Sequence, residues 1–198
     1  MGLAAGLSPG PLLALVISES LQHGIKAGIK IAIAPIITDA PIVILMLLVA
    51  GQLSGFERVV GLLSLIGSAY VLYIAHATAR SKAPTTQLPA PATSSVYKGI
   101  LTNALSPHPY LFWLTIGAPM IIKSVSVSAA APIVFIVGFY LPLVGSKVIL
   151  AWMIGKYRTI LSGSFYKNIM LLLSLMLAIF AVLLFIDGLK LLGLHNIH

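Results

Sequence analysis

Residues 7–11 read Leu-Ser-Pro-Gly-Pro and residues 105–109 read Leu-Ser-Pro-His-Pro, an offset of 98 from Ser8 to Ser106 in a chain of 198. Leu13 and Leu111 keep step beyond the two copies. The repeat marks corresponding points of two similar portions. Two prolines spaced i, i+2 delete two amide donors and disfavour helical geometry at the residue before each. Both copies lie in apolar stretches of span length, so each predicts a membrane helix that is interrupted or restarted. Unpaired backbone at membrane depth persists only where protein or a water-filled cavity covers it. Paired interruptions at corresponding positions are therefore a pointer to a transport site. The alternative is a pair of proline kinks that only shape packing.

Around this repeat the composition is that of an all-α integral membrane protein. Hydrophobic residues make up 59% of the chain and charged residues 8%, against roughly 25% charged in soluble domains. At about 20 residues per span there is room for about six helices and short connections, hence one membrane domain. The net charge of +8 does not point to nucleic acid, because the basic residues sit singly at span ends rather than clustered with aromatics. Cysteine is absent, which excludes disulfides and thiolate metal sites. The opening stretch has no basic leader, which argues against a removed signal peptide.

The expected spans are 2–21, 31–53, 59–78, 97–122, 129–154 and 169–189. Only seven residues precede Ser8, so the first helix is either short and re-entrant or lacks residues upstream. Gly2, Gly6 and Gly10 recur every fourth residue and offer a smooth face to another helix. The polar segment 22–30 reads as the first loop or an interfacial turn, and Tyr70, Tyr73 and His76 as interface anchors. Residues 80–96 are rich in Ala, Pro, Ser and Thr and have no apolar period, which reads as a flexible cytoplasmic linker. It separates a first three-helix repeat, 1–79, from a second, 97–198.

Three spans per repeat place the second repeat inverted relative to the first. Lys26, Lys30, Arg80, Lys82, Lys98, Lys156, Arg158 and Lys167 fall on one side, and Arg58, Lys123 and Lys190 on the other. By the positive-inside rule the richer side is cytoplasmic. Six full spans then put both termini outside; a re-entrant first segment moves the N-terminus inside.

Asp39 lies near the middle of the second span, where insertion scales charge about 2.5 to 3.5 kcal/mol for a carboxylate, so it should face the bundle interior. It has three readings: a contact for a substrate ammonium, a carrier of the coupling proton, or a buried pair with Lys147. Lys147 is a secondary candidate whose long stem also allows snorkelling. Ser8 and Ser106 are candidate N-caps or hydroxyl ligands, and Gly10 permits close approach to the backbone. His108 is either a titrating group or a polar residue lining a helix break. Asp39-x-Pro41 is loosely echoed by Tyr140-x-Pro142. Glu19 reads as an interfacial or capping charge, and Glu57 and Asp187 sit near span ends or loops. No catalytic constellation and no Walker loop is present, so the chain reads as neither an enzyme nor an ATP-driven pump. Four acidic residues supply a carboxylate metal cage poorly, and nothing calls for a cofactor.

Residues 6–41, GLSPGPLLALVISESLQHGIKAGIKIAIAPIITDAP, resemble the opening of the LysE/RhtB family of amino-acid exporters. Both have Pro-Gly-Pro in span one, a Gly-rich basic turn and an Asp in span two. GSAYVLYIAHA at 67–77 and KGILTNALSPHPYLFW at 98–113 are similar to later segments of that family. The resemblance implies a six-span secondary exporter of amino acids or similar small metabolites in a prokaryotic cytoplasmic membrane, driven by a proton or sodium gradient. Its substrate-site carry-over falls on Pro9, Gly10, Pro11, Asp39, Asn103 and Pro107. Three positions depart: Ser106 stands for the usual Asn, His108 for the usual Lys, and Pro35 for a small residue. The departures admit a branch whose cargo is not a basic amino acid. Membrane lipid is the expected surrounding, and a homo-oligomer stays open. The competing readings are an inorganic ion or metal exporter of the same superfamily, and a non-transporting membrane scaffold or assembly protein with Asp39 closed off by Lys147.

Overall fold

A computed structural model describes residues 1–49, 56–80, 92–157 and 164–194. All regular structure in these residues is helical: α1 (Gly2–Leu7), α2 (Pro11–His23), α3 (Ile25–Ala32), α4 (Ala34–Val49), α5 (Phe56–Ala79), α6 (Ala92–Ala104), α7 (Pro107–Phe112), a π-helical turn (Trp113–Gly117), α8 (Ala118–Val125), α9 (Ala131–Tyr157) and α10 (Ser164–Leu191). Among the described residues four stretches are long and apolar enough to cross a membrane: Ile25–Leu48, Arg58–Ala79, Ala131–Tyr157 and Tyr166–Leu191. The remaining two expected spans are broken where the Ser-Pro motifs fall. The first divides into α1 and α2 across residues 8–10. The fourth divides after Ala104, and its continuation passes through the π turn into α8.

Two expected boundaries move. Of the two readings of segment 22–30, a turn forms between two helices, at a single residue, and not a loop. Helix α2 runs to His23, Gly24 turns the chain at φ 87°, and α3 starts at Ile25. Only glycine takes that φ without strain. The second membrane helix therefore begins earlier than 31, and its expected end at 53 lies outside the described residues. Helix α6 already begins at Ala92, so the last part of the expected linker is helical, while 81–91 lies outside the described residues.

The interior has two main apolar clusters. One gathers Leu15 and Val16 of α2, Ile31 of α3, Val71 and Ile74 of α5, Ala151 of α9 and Leu177 and Leu184 of α10. The other surrounds Trp113 with Met46, Ile121, Phe139 and Leu143. Outward faces are apolar as well: Ile133, Val137 and Leu141 on α9, and Leu172, Leu175 and Ile179 on α10, are exposed. Such a surface suits hydrocarbon and is far larger than a water-soluble monomer tolerates.

Close backbone approach sets where the broken helices sit. Gly2 and Gly6 press on α9 at Phe139, Leu143 and Ser146, as the small-residue spacing predicts, whereas Gly10 faces open space. Across the second break, the Leu105 carbonyl packs on Gly67 of α5, where a β-carbon would run into its oxygen. Gly67→Ala is expected to lower stability by about 1 to 3 kcal/mol, because backbone rather than a movable side chain must yield. Thermal unfolding in detergent checks this; an unchanged midpoint would mean that the break at Leu105 shifts freely.

Candidate functional site

The second break is held open by side chains rather than by helix continuation. Ser106 is extended, at φ −88° and ψ 138°, and Pro107 starts α7 with no amide to satisfy. The Tyr110 hydroxyl donates to the Ala104 carbonyl at 2.8 Å, pairing an acceptor that the interruption frees. At the first break Gly10 is extended (φ −170°), and Pro11 starts α2 in the same manner. The two serines do not cap these helices. Ser8 ends α1, and Ser106 Oγ lies 3.0 Å from His108 Nδ1 instead of bonding to the helix amides. Proline at the first helical position explains this, since it removes an amide that would otherwise need capping.

Both breaks border a cavity of about 510 Å³. Ser8, Pro9, Gly10 and Pro11 line it from the first break, Ser106 and His108 from the second, and Asp39, Asn103 and Lys147 from the helices behind them. Pro107 alone of the expected site residues does not. It is buried at the start of α7, and Pro109 takes its place in the lining. Ser8, Pro9 and His108 are exposed while Asp39, Asn103 and Lys147 are buried, so the cavity leads from the broken segments toward the interior carboxylate.

Asp39 is only 5% exposed. Its Oδ1 accepts from Asn103 Nδ2 at 2.7 Å and faces the Thr38 hydroxyl at 3.3 Å. Its Oδ2 accepts from the Tyr140 hydroxyl at 3.0 Å and, at 3.4 Å, from Trp113 Nε1. The second amide hydrogen of Asn103 goes to Thr38 Oγ1 at 2.6 Å, while the single Thr38 proton is shared between Asp39 and the Ala34 carbonyl at 3.0 Å. A carboxylate offers about four lone-pair sites, and neutral donors of four residues occupy them. The π turn places Trp113 for this contact. It widens the helix by one residue at the indole, and the Trp113 ring covers the backbone of Gly117. π turns inside helices are frequent at functional sites.

Of the three readings of Asp39, the buried pair with Lys147 does not form. Among the described residues Lys147 makes no ion pair, and neutral donors take its place on Asp39. Nor does Lys147 snorkel, for at 4% exposure its side chain stays inside α9's packed face. Tyr140 answers to a signal in the sequence. It is the residue whose Tyr-x-Pro echoes Asp-x-Pro, and the two meet. Thr38 and Trp113 carried no signal beyond adjacency to Asp39 and to the second motif, and Asp187, read as a span-end charge, lines the same cavity.

Glu19 also departs from its expected place. It is 2% exposed and points from α2 to α6, accepting from Lys98 Nζ at 2.5 Å and Ser95 Oγ at 3.0 Å, with His23 Nδ1 at 3.0 Å on its own helix. Helix α6 covers it, so the charge is paired inside the protein rather than exposed. Among the described residues no three His, Cys, Asp or Glu side chains gather as a metal cage requires.

No curated protein and no solved structure matches the chain. A family model described as LysE type translocator matches residues 3–188, a span that takes in both breaks, Asp39 and every other residue lining the cavity. Family members are transporters rather than enzymes, and the apolar helices fit a multi-pass membrane protein. By the extent of that match, the chain belongs to the LysE-type translocator family.

Proposed function

We propose that this translocator is a secondary exporter that moves amino acids or similar small metabolites out of a prokaryotic cytoplasm. In this reading six membrane segments form two inverted three-segment repeats, and the side richer in Lys and Arg is cytoplasmic. What supports it is one observation above the others: two helix breaks at corresponding points border a single cavity that reaches a buried carboxylate. A scaffold needs a filled interior, and Asp39 sealed by a cation; the cavity and the neutral donors around Asp39 favour transport instead.

The same donors favour a proton as coupling ion, with Asp39 as its carrier. An ionised Asp39 accepts from Asn103, Trp113 and Tyr140, which reach it from α6, the π turn and α9. A proton on the carboxyl turns one acceptor site into a donor, so one of the four contacts, these three or the one to Thr38, must give way. Where it displaces Asn103, Trp113 or Tyr140, protonation changes how α4 is held against a neighbouring element, which is the link between ion and conformation that a coupled exporter requires. The test is efflux of a labelled amino-acid panel from cells expressing the chain. Export that stops when a protonophore collapses the proton gradient is expected. Export of no member would set this reading aside, and export that follows a sodium gradient alone would remove the proton from it.

A further inference from the structure

Among the described residues Lys147 is the one lysine or arginine that lines the cavity. It sits inside α9, 4% exposed, and among the described residues its side chain makes no ion pair and no hydrogen bond. A buried ammonium carries three donors and is held at a high desolvation penalty, so it is retained where something answers its charge. The buried carboxylate in the same cavity cannot do so at contact distance. Asp39 forms no ion pair with Lys147, and its lone pairs are engaged by Tyr140, Asn103, Trp113 and Thr38. Asp187, the other acid in the wall, lies near the end of α10 and forms no ion pair with Lys147. Among the described residues no side chain supplies the counter-charge, and it has room to arrive from the cavity. Phe112, Phe139, Phe180 and Leu183 give that wall a large apolar part beside the polar Ser8, Thr102, Asn103, Ser106 and His108, as in small-molecule sites, where a mostly hydrophobic lining carries a few polar groups that fix orientation.

We infer that Lys147 is the anchor for a carboxylate of the cargo, which lies against the apolar wall while Asp39, its oxygens already occupied, makes no direct contact with the cargo's ammonium. The inference rests on the cavity being the cargo site, and it narrows the cargo to compounds bearing a free carboxylate. It also separates two tasks: Lys147 selects, and Asp39 couples.

The test uses the purified full chain in detergent, with Trp152→Phe so that Trp113 in the cavity wall is the fluorescent reporter. The probes are L-leucine, L-glutamate and L-lysine, each beside its α-amide. At least one acid is expected to bind roughly 30-fold or more tighter than its amide, the scale for an unpaired buried charge gaining its partner. Lys147→Met should bring that ratio close to one, and Lys147→Arg should retain most of it. A parent protein that binds no acid in preference to its amide overturns the inference without reference to any variant, and so does an unchanged ratio in folded Lys147→Met. Efflux is scored separately. Export without acid preference removes the role of Lys147 and leaves the exporter standing, whereas Lys147-dependent binding without export does the reverse.

Discussion

Asp39→Asn is expected to reduce gradient-driven efflux to the background of cells lacking the protein, while exchange of labelled for unlabelled cargo at equal concentrations continues. An amide keeps the shape of the carboxyl and fills the same space between α4, α6 and α9, so the fold should persist. It offers one acceptor oxygen and one donating nitrogen. The nitrogen then faces either Asn103 on one side or Tyr140 and Trp113 on the other, each of which donates to the carboxylate in the parent protein. Leaving one such donor unpaired costs about 1 to 3 kcal/mol, which a folded protein survives, and the arrangement imitates a carboxyl that permanently holds its proton. Exchange needs no net proton movement, whereas driven export does. Counterflow and efflux measured on the same vesicles separate the two. Driven efflux at the parent rate would show that Asp39 carries no coupling ion.

Replacing Lys98 by Met is expected to destabilise the protein by about 2 kcal/mol. Removing one partner of a buried ion pair commonly costs about 3 to 5 kcal/mol because the other charge is left uncompensated. Here the effect is reduced for two reasons. Lys98 is about one-third exposed, with 32% of its side-chain surface accessible, and solvent already screens such a charge. Ser95 and His23 also remain on the Glu19 carboxylate after the lysine is gone. The decisive experiment is a cycle: Lys98→Met, Glu19→Leu, and both together, unfolded in the same detergent. The double variant should be more stable than the two single losses add up to, since neither charge is then stranded. Simple additivity would mean that the contact at 2.5 Å contributes nothing to holding α2 against α6.

The two interruptions were legible in the sequence because proline acts locally: it deletes an amide wherever it stands, whatever surrounds it. The buried position of Asp39 was legible for a similar reason, since a carboxylate in an apolar run has few tolerable environments. Its partners were not. Asn103, Trp113 and Tyr140 come from elements far along the chain, and nothing in their spacing says that neutral donors rather than Lys147 will fill the carboxylate's lone pairs. Glu19 was misread because its neighbours in sequence, Gln22, His23 and Lys26, look like an interface; what buries it is α6, which packs over it from a segment that reads partly as linker. The π turn left no trace at all, because one extra residue in a helical turn depends on what the Trp113 indole can reach.

Glu19 and Asp39 share one property. Both lie before residue 80, and the side chains that reach them from other helices, Ser95, Lys98, Asn103, Trp113 and Tyr140, all lie after residue 92. In water two apolar faces would find each other without further instruction. In hydrocarbon they gain no such drive, since lipid tails are as apolar as leucine. The two carboxylates therefore act as addresses. They tell the earlier part of the chain which surface of the later part to join, in a solvent where greasy contact carries no such information.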